Sequence, residues 1–385
     1  MRKKRPILQR CKHPGCHLLI LVLCLACTAQ ASARPLSAPV ENTVGSPAHP
    51  IAVFGADERG PLPAGLKSMR DKMGMLFNLR ARTVCTAFCV ARNAIATAGH
   101  CLHRTAGERP PRLADFWFAR NYDAVRDYAR IAGRGSAQHV LSGSARLNVR
   151  PPIDASKDWA VVRLSRPACA KGSLPVRALP SDEIIAAARE GRVFQVSYHR
   201  DFAPWKLAYS RPCAVSRSFE AADWPTIAQD FSDPDALILH TCDTGGASSG
   251  SPLLIETPEG PEVIGINVGT YVQSKVLIEA GEVTKRLKAD TVANTAVSAA
   301  IFAGKLEAFR EAEILGTPAR LRELQALLQR RDLFDGKIDG TYSPALRAAI
   351  EAYEKAEGLP VTGLATHALL KRLGGGAAKP PRAKS

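Results

Sequence analysis

Apolar positions along the chain change rhythm, and each change predicts a different kind of structure. Between about Met69 and Val276 they come as short runs rich in Val, Ile, Leu and Phe, such as 160–164, 236–239 and 263–268, separated by turn residues. Runs of that length and composition predict an all-β domain of strands closed into barrels. From Thr291 to Ala312, Val297, Ile301 and Leu306 or Phe309 recur near helical spacing, which predicts a helix closing the β domain. Beyond Gly316 and Pro318 the pattern is helical. Leu321, Leu324 and Leu328 mark one apolar face, and Ser343 followed by Pro344 starts a second helix with Leu346, Ile350 and Tyr353 inward and Gly358 as its stop. Thr366 is placed to cap a third helix carrying Leu369, Leu370 and Leu373. Residues 319–373 therefore read as a small three-helix α domain behind a β domain over 69–312, with 313–318 as a linker and 374–385 as a basic tail.

The N-terminal region reads differently. Arg2, Lys3, Lys4, Arg5, Arg10 and Lys12 precede an apolar run from Leu18 to Cys27 and the small residues Ala31-Ser32-Ala33. That order predicts a cleavable export signal over 1–33, with an apolar stretch too short for a comfortable membrane span. Residues 34–68 are rich in Pro, Ala, Gly and Ser without periodicity, as in a propeptide or flexible arm. No stable membrane span is expected once the signal is removed, and the expected location is periplasmic or secreted.

Composition narrows the class. With 385 residues, 46% hydrophobic and 23% charged, the chain fits about two globular domains and excludes a wholly disordered or multi-span membrane protein. The net charge is +16, and six of those charges sit unopposed in the first 33 residues. The remainder suits an anionic wall or membrane surface, whereas no aromatic-basic interleaving or groove-reading helix supports a nucleic acid partner. Export also changes the cysteine arithmetic. Cys11, Cys16, Cys24 and Cys27 leave with the signal, and the six that remain, Cys85, Cys89, Cys101, Cys169, Cys213 and Cys242, are an even number in an oxidising compartment, which reads as disulfides.

Three short segments carry candidate chemistry. Thr97-Ala98-Gly99-His100-Cys101 follows an apolar strand-like run, so His100 leaves a rigid element, as a general base serving a nucleophile should. Cys85 lies sixteen residues earlier. A Cys85–Cys101 bridge would tie that strand to the histidine turn and contribute about 3 kcal/mol through loop closure. Lys157-Asp158-Trp159 puts an acid at the entrance to the apolar run Ala160-Val161-Val162, where a carboxylate can hold an imidazole tautomer. Asp154 is its neighbour in a Pro-rich turn and reads as a turn former. Cys242-Asp243-Thr244-Gly245-Gly246-Ala247-Ser248-Ser249-Gly250-Ser251-Pro252 surrounds serine with glycines, which allows a sharp turn with inward amides. Cys213 and Cys242 flank the strands leading to it, Cys89 and Cys169 are left over, and six cysteines allow about 15 connectivities. The cysteines lack C-x-x-C spacing and His103 reads as a polar residue after the histidine turn, so neither a metal nor a cofactor is called for.

Histidine, aspartate and serine in that order, with the Thr-Ala-Gly-His-Cys and Ser-Gly-Ser-Pro elements, resemble the chymotrypsin-like (trypsin-like) serine proteases, more the bacterial glutamyl-endopeptidase branch than the animal trypsins. The resemblance covers roughly 70–305. It implies two six-stranded antiparallel barrels, with His100 as general base, Asp158 as orienting acid and Ser249 as nucleophile in the cleft between them. It further implies an oxyanion hole from the amides of Ala247 and Ser249, and substrate contacts from Asp243, Thr244, Asn267 and Gly269. Three departures stand out. Ser248 occupies the place of the aspartate that pairs with a freed N-terminus in trypsin-type zymogens. Ala247 replaces the usual glycine, which would be strained if that position needs positive φ. Asn267 replaces the histidine of glutamate-specific relatives, while Asp243, six residues before Ser249, has the offset of an acid that reads Lys or Arg.

Residues 321–373 resemble the peptidoglycan-binding domain of bacterial wall enzymes through Leu324-Gln325, Asp335-Gly336, Asp339-Gly340, Ala348-Ala349-Ile350 and 358–363, with Tyr353-Glu354 in place of the usual Phe-Gln. Lys337 and Leu346 stand where a calcium loop needs ligands, which excludes that reading of 335–346. The implied protein is an exported serine endopeptidase held at the cell wall by residues 319–373. The alternative is an inactive homologue acting as a wall-binding or scaffold protein.

Overall fold

In a computed structural model, the described residues are 52–103, 111–122, 128–203, 205–279 and 282–375, with side chains described outside 274–289. The expected signal (1–33), the first part of the arm (34–51) and the end of the basic tail (376–385) lie outside them. The alternating and apolar runs form two curled seven-stranded antiparallel sheets. The first uses β2 (Met73–Asn78), β3 (Thr83–Ala91), β4 (Ala94–Thr97), β5 (Trp117–Arg120), β6 (Tyr128–Arg130), β7 (Val140–Ser142) and β8 (Ala160–Arg163), in the order β6-β5-β2-β3-β4-β8-β7. The second uses β1 (Arg59–Pro61), β9 (Val193–Tyr198), β10 (Leu207–Ser210), β11 (Leu237–His240), β12 (Pro252–Ile255), β13 (Glu262–Glu279) and β14 (Glu282–Ser298), ordered β1-β10-β9-β12-β13-β14-β11.

Two expectations change here. The segment expected as an arm contributes the second sheet's outer strand: Arg59, Gly60 and Pro61 of β1 pair with Ser210, Tyr209 and Ala208 of β10. Ala52, Leu62 and Leu66 are buried, so from Ala52 onward this segment is part of the β domain. The helix expected from Thr291 starts only at Ala299, as α2 (Ala299–Glu311), following α1 (Ser181–Arg189) in chain order. Val297 pairs with Leu237 and Ile266 instead, and Ser298 caps the helix through the Ala300 amide at 3.3 Å. Buried cross-strand partners on both sides outweigh the helical spacing of a few apolar positions.

One apolar core joins the first sheet to Phe194, Leu254 and Ile266 of the second and to Phe302, Leu306 and Phe309 of α2. Trp159, beside Asp158, lies 5.8 Å from the Phe302 ring centroid, so the closing helix packs directly behind the acid.

The C-terminal helices are α3 (Pro318–Gln329), α4 (Pro344–Ala356) and α5 (His367–Gly375). The Ser343 hydroxyl accepts from the Leu346 amide and Thr366 from the Leu369 amide, both at 3.1 Å, as N-caps do. Leu324, Leu328, Leu346, Ile350, Leu370 and Leu373 fill the core between them. The segment 313–318, expected as a linker, is fastened to this module: the Leu315 amide donates to the Ala365 carbonyl and His367 to Glu313, each at 2.9 Å. Leu364, 1% exposed, belongs to the core of the β domain, and Arg347 of α4 donates to the Ser142 carbonyl of β7 at 3.0 Å. The module is docked on the β domain by an apolar plug and a charged hydrogen bond. Among the described residues, no helix is long and apolar enough to cross a membrane.

Candidate active site

Register places the first two candidates. β4 and β8 run antiparallel with Thr97 opposite Ala160, so His100, three residues past Thr97, and Asp158, two before Ala160, leave the sheet at the same edge. There His100 bonds Asp158 twice: its amide donates to Oδ1 and its Nδ1 lies against Oδ2, both at 2.7 Å. The amide bond fixes the residue and the ring bond fixes the imidazole, with Nδ1–H toward the acid and Nε2 buried on the opposite edge of the ring. Asp154 makes no such contact. It pairs with Lys157 at 2.7 Å and accepts from Ser232, as a turn former does.

Ser249 follows β11 and precedes β12. The Thr86 amide of β3 donates to its carbonyl at 2.9 Å, and that carbonyl lies 3.9 Å from Sγ of Cys101, the residue after His100. Gly250 makes the approach possible. At φ +82° it turns in the left-handed region, and a Cβ there would collide with Thr97 Oγ1 and the Thr86 carbonyl. The loop holding the serine is thereby pressed onto the strand end that leads to the histidine.

Thr86 was invisible as a site residue in the sequence, where it is one polar residue in an apolar run. Fully buried, it bonds Ser249 through its amide and the Ala247 carbonyl through Oγ1 at 2.9 Å, while its own carbonyl accepts from Thr97 Oγ1 at 2.9 Å and its Oγ1 from the Tyr198 amide at 3.0 Å. It joins both sheets to the serine loop. Disulfides brace the same region: Cys85–Cys101 ties β3 to the histidine turn, Cys89–Cys169 closes the rear of the first sheet, and Cys213–Cys242 anchors the start of the serine loop.

Around Ser249 part of the backbone is committed. Ser248 donates to Gly245, Gly250 to Asn267 and Ser251 to Ser248. The amides of Gly245, Gly246, Ala247 and Ser249 have no acceptor among the described residues, and the last two are the pair an oxyanion pocket would draw on. Ala247 has φ +81°, so its methyl group is strained in a conformation suited to glycine. Ala247→Gly is therefore expected to raise stability by up to about 1 kcal/mol, net of glycine's greater unfolded-state freedom. A urea titration showing a clear loss of stability would exclude positive φ at this position.

The expected substrate contacts are largely engaged within the protein. Asn267 Oδ1 lies 3.3 Å from His240 Nε2, and its Nδ2 donates to the Ser248 carbonyl at 3.4 Å. Thr244 donates to Asn294 Oδ1 at 3.2 Å, and Asn294 in turn donates to the Cys242 carbonyl at 2.8 Å. Gly269, opposite Thr295, sits at a bulge in β13. Asp243 is 4% exposed and holds two amides of the N-terminal segment, Phe54 on Oδ1 at 3.0 Å and Glu58 on Oδ2 at 2.9 Å. It is not an open acid at the base of a pocket.

Buried histidines surround the site. Burial pushes His240 down to about 4, against the Asn267 bond, and burial together with the Arg59 charge does the same to His199. His103 is likewise held at about 4, by burial and then by Arg347. All three are neutral in the folded protein at pH 7, while the unfolded chain takes up their protons near pH 6.5. Their stabilising contribution is thus complete above about pH 6.5 and is lost as pH falls toward 4. Urea midpoints are expected to drop over that window, and His240→Gln to flatten the drop.

Two curled antiparallel sheets, a histidine bonded to an aspartate at one edge, and a serine loop between glycines beside them compose the candidate site. A trypsin-like peptidase domain model matches residues 85–266, and a peptidoglycan binding domain model matches 317–373. The chain carries a trypsin-like peptidase domain followed by a peptidoglycan-binding domain. Similar solved structures include a Glu endopeptidase in complex with MPD, 16% identical with a TM-score of 0.45, covering 68% of this chain and 100% of that one. Another is the thermostable serine protease AL20 from an extremophilic microorganism, 16% identical with a TM-score of 0.40, covering 62% and 95%. No curated protein matches the chain.

Proposed function

We propose that the protein is an exported endopeptidase that cleaves peptide bonds with a His100, Asp158, Ser249 triad and is held at the cell wall by residues 319–373. The observation that carries the reading is the doubly bonded His100–Asp158 pair beside the serine loop. Ser249 Oγ attacks the substrate carbonyl as His100 Nε2 takes its proton. Asp158 keeps Nδ1 protonated and stabilises the imidazolium that forms. The amides of Ala247 and Ser249 receive the developing oxyanion, and His100 then returns its proton to the leaving amine. Thr244, Asn267 and Gly269 shape the wall against which the substrate lies.

The module supports wall attachment through its family match, and its departure from the usual pair is accounted for within the fold. Glu354 Oε2 accepts from the Thr362 and Gly363 amides, and Oε1 from the Thr362 hydroxyl, so this acid closes a turn. Two measurements test the reading together. An organophosphonate probe should label Ser249, and the full chain should sediment with purified peptidoglycan sacculi at raised salt, where purely electrostatic adsorption weakens. Sedimentation without labelling would leave the inactive wall-binding homologue; labelling without sedimentation would remove the wall assignment alone.

A further inference from the structure

The zymogen aspartate is absent from this serine loop, with Ser248 in its place, yet a buried carboxylate still fastens an N-terminal segment to the loop. We propose that Asp243 is a positioning residue: it binds segment 52–59 through internal main-chain amides, and that segment sets the loop carrying the Ala247 and Ser249 amides. The loop is then ordered without a freed α-amino terminus. This inference rests on the protease reading for its rate consequence.

The attachment is continuous along the loop. Asp243 accepts from the Phe54 and Glu58 amides, its own amide donates to Ser210 Oγ at 2.9 Å, and the Thr244 amide donates to the Ala52 carbonyl at 2.9 Å. Next comes Gly245, where a Cβ would collide with Asp201 Oδ1 and crowd Arg59 Nη1. The Arg59 side chain is 3% exposed and pairs at 2.8 Å with both Asp57 and Asp201, while its Nη1 lies 3.3 Å from His199 Nδ1. The Arg200 amide closes the set by donating to Gly246 at 2.6 Å. Four successive residues, 243–246, are thus gripped between segment 52–59 and the turn after β9. Thr86 holds the far side of the loop, and the Ala247 and Ser249 amides lie between these anchors.

The chemistry favours fastening over substrate recognition at Asp243. Two main-chain N–H groups on a buried carboxylate are charge-assisted bonds, one to each oxygen, and at 4% exposed Asp243 leaves little surface for a substrate cation to reach. Amides from residues 54 and 58 also do the work with the chain intact on both sides of them, so loop order does not require cleavage at one particular bond.

The test compares full-length Asp243→Asn with the wild type, and Glu58→Pro with Glu58→Ala. The proline removes one amide donor, whereas alanine keeps it and provides the reference for an exposed side chain. In Asp243→Asn, and in the proline variant relative to alanine, kcat and the rate of Ser249 labelling are expected to fall roughly 10- to 100-fold, with KM little changed and the loss uniform across P1 residues. A loss confined to Arg and Lys substrates and carried by KM would overturn the proposal and return Asp243 to the pocket. Hydrogen exchange supplies a readout free of turnover. Protection at Phe54, Glu58 and through 244–249 should fall together in Asp243→Asn; unchanged protection would overturn the proposal even in a chain that hydrolyses peptides. If the wild type neither turns over nor labels, the protease reading fails, and the exchange result still decides whether Asp243 couples segment to loop.

Discussion

Replacing Ser249 by alanine is expected to lower kcat by about a millionfold while leaving the fold intact. Only the nucleophilic oxygen is removed. The contacts that hold the residue are its carbonyl with the Thr86 amide and the turn at Gly250, and both survive the change. Circular dichroism and the urea midpoint should match the wild type. Ser248→Ala is the register control: among the described residues its hydroxyl has one contact, at 3.4 Å from Asn267 Nδ2, and its loss should be far milder. If the Ser248 variant is the dead one, the nucleophile is one residue earlier.

Asp158→Asn is expected to cost about 10⁴-fold in kcat with little change in KM. Asp158 accepts twice from one residue, at the amide and at Nδ1 of His100. Asparagine has one acceptor oxygen. If that oxygen keeps the His100 amide, its NH₂ faces Nδ1, which must then accept, and the ring proton moves to Nε2, where it blocks removal of the serine proton. Asp154→Asn, which touches Lys157 and Ser232 but not His100, should stay within about twofold, as expected for a residue outside the reacting groups. Equal losses in the two variants, measured as kcat on one peptide, would sink the assignment of Asp158 over its neighbour.

The parts of this architecture legible in sequence were those whose signal is local. A histidine immediately after an apolar strand, an acid immediately before one, and a serine among glycines each announce themselves within a dozen residues, and the Ser343-Pro344 helix start does the same in the module. What stayed hidden depends on distant partners. Nothing local distinguishes Asp243 facing a pocket from Asp243 facing the amides of Phe54 and Glu58, which lie 189 and 185 residues away. Pro- and Gly-rich composition makes 34–68 read as an arm, although three residues of it pair with β10 and the buried Arg59 side chain pairs with Asp57 and Asp201. Thr86 and Asn294 are polar residues within strands, and they matter only because other chain segments end on them. Val297 shows the opposite error, where helical spacing was genuine and strand pairing prevailed.

Leu364 gives the C-terminal module an evolutionary constraint. A domain joined by a free tether can be exchanged between proteins as a cassette, since neither partner has to accommodate the other's surface. Here the module's leucine completes the neighbour's core, its Arg347 satisfies a carbonyl of β7, and the connecting residues pair back onto it. Transplanting the peptidase without the module would leave an unfilled apolar socket; transplanting the module alone would carry an exposed plug. A substitution in either wall of the socket therefore calls for a matching change in the other.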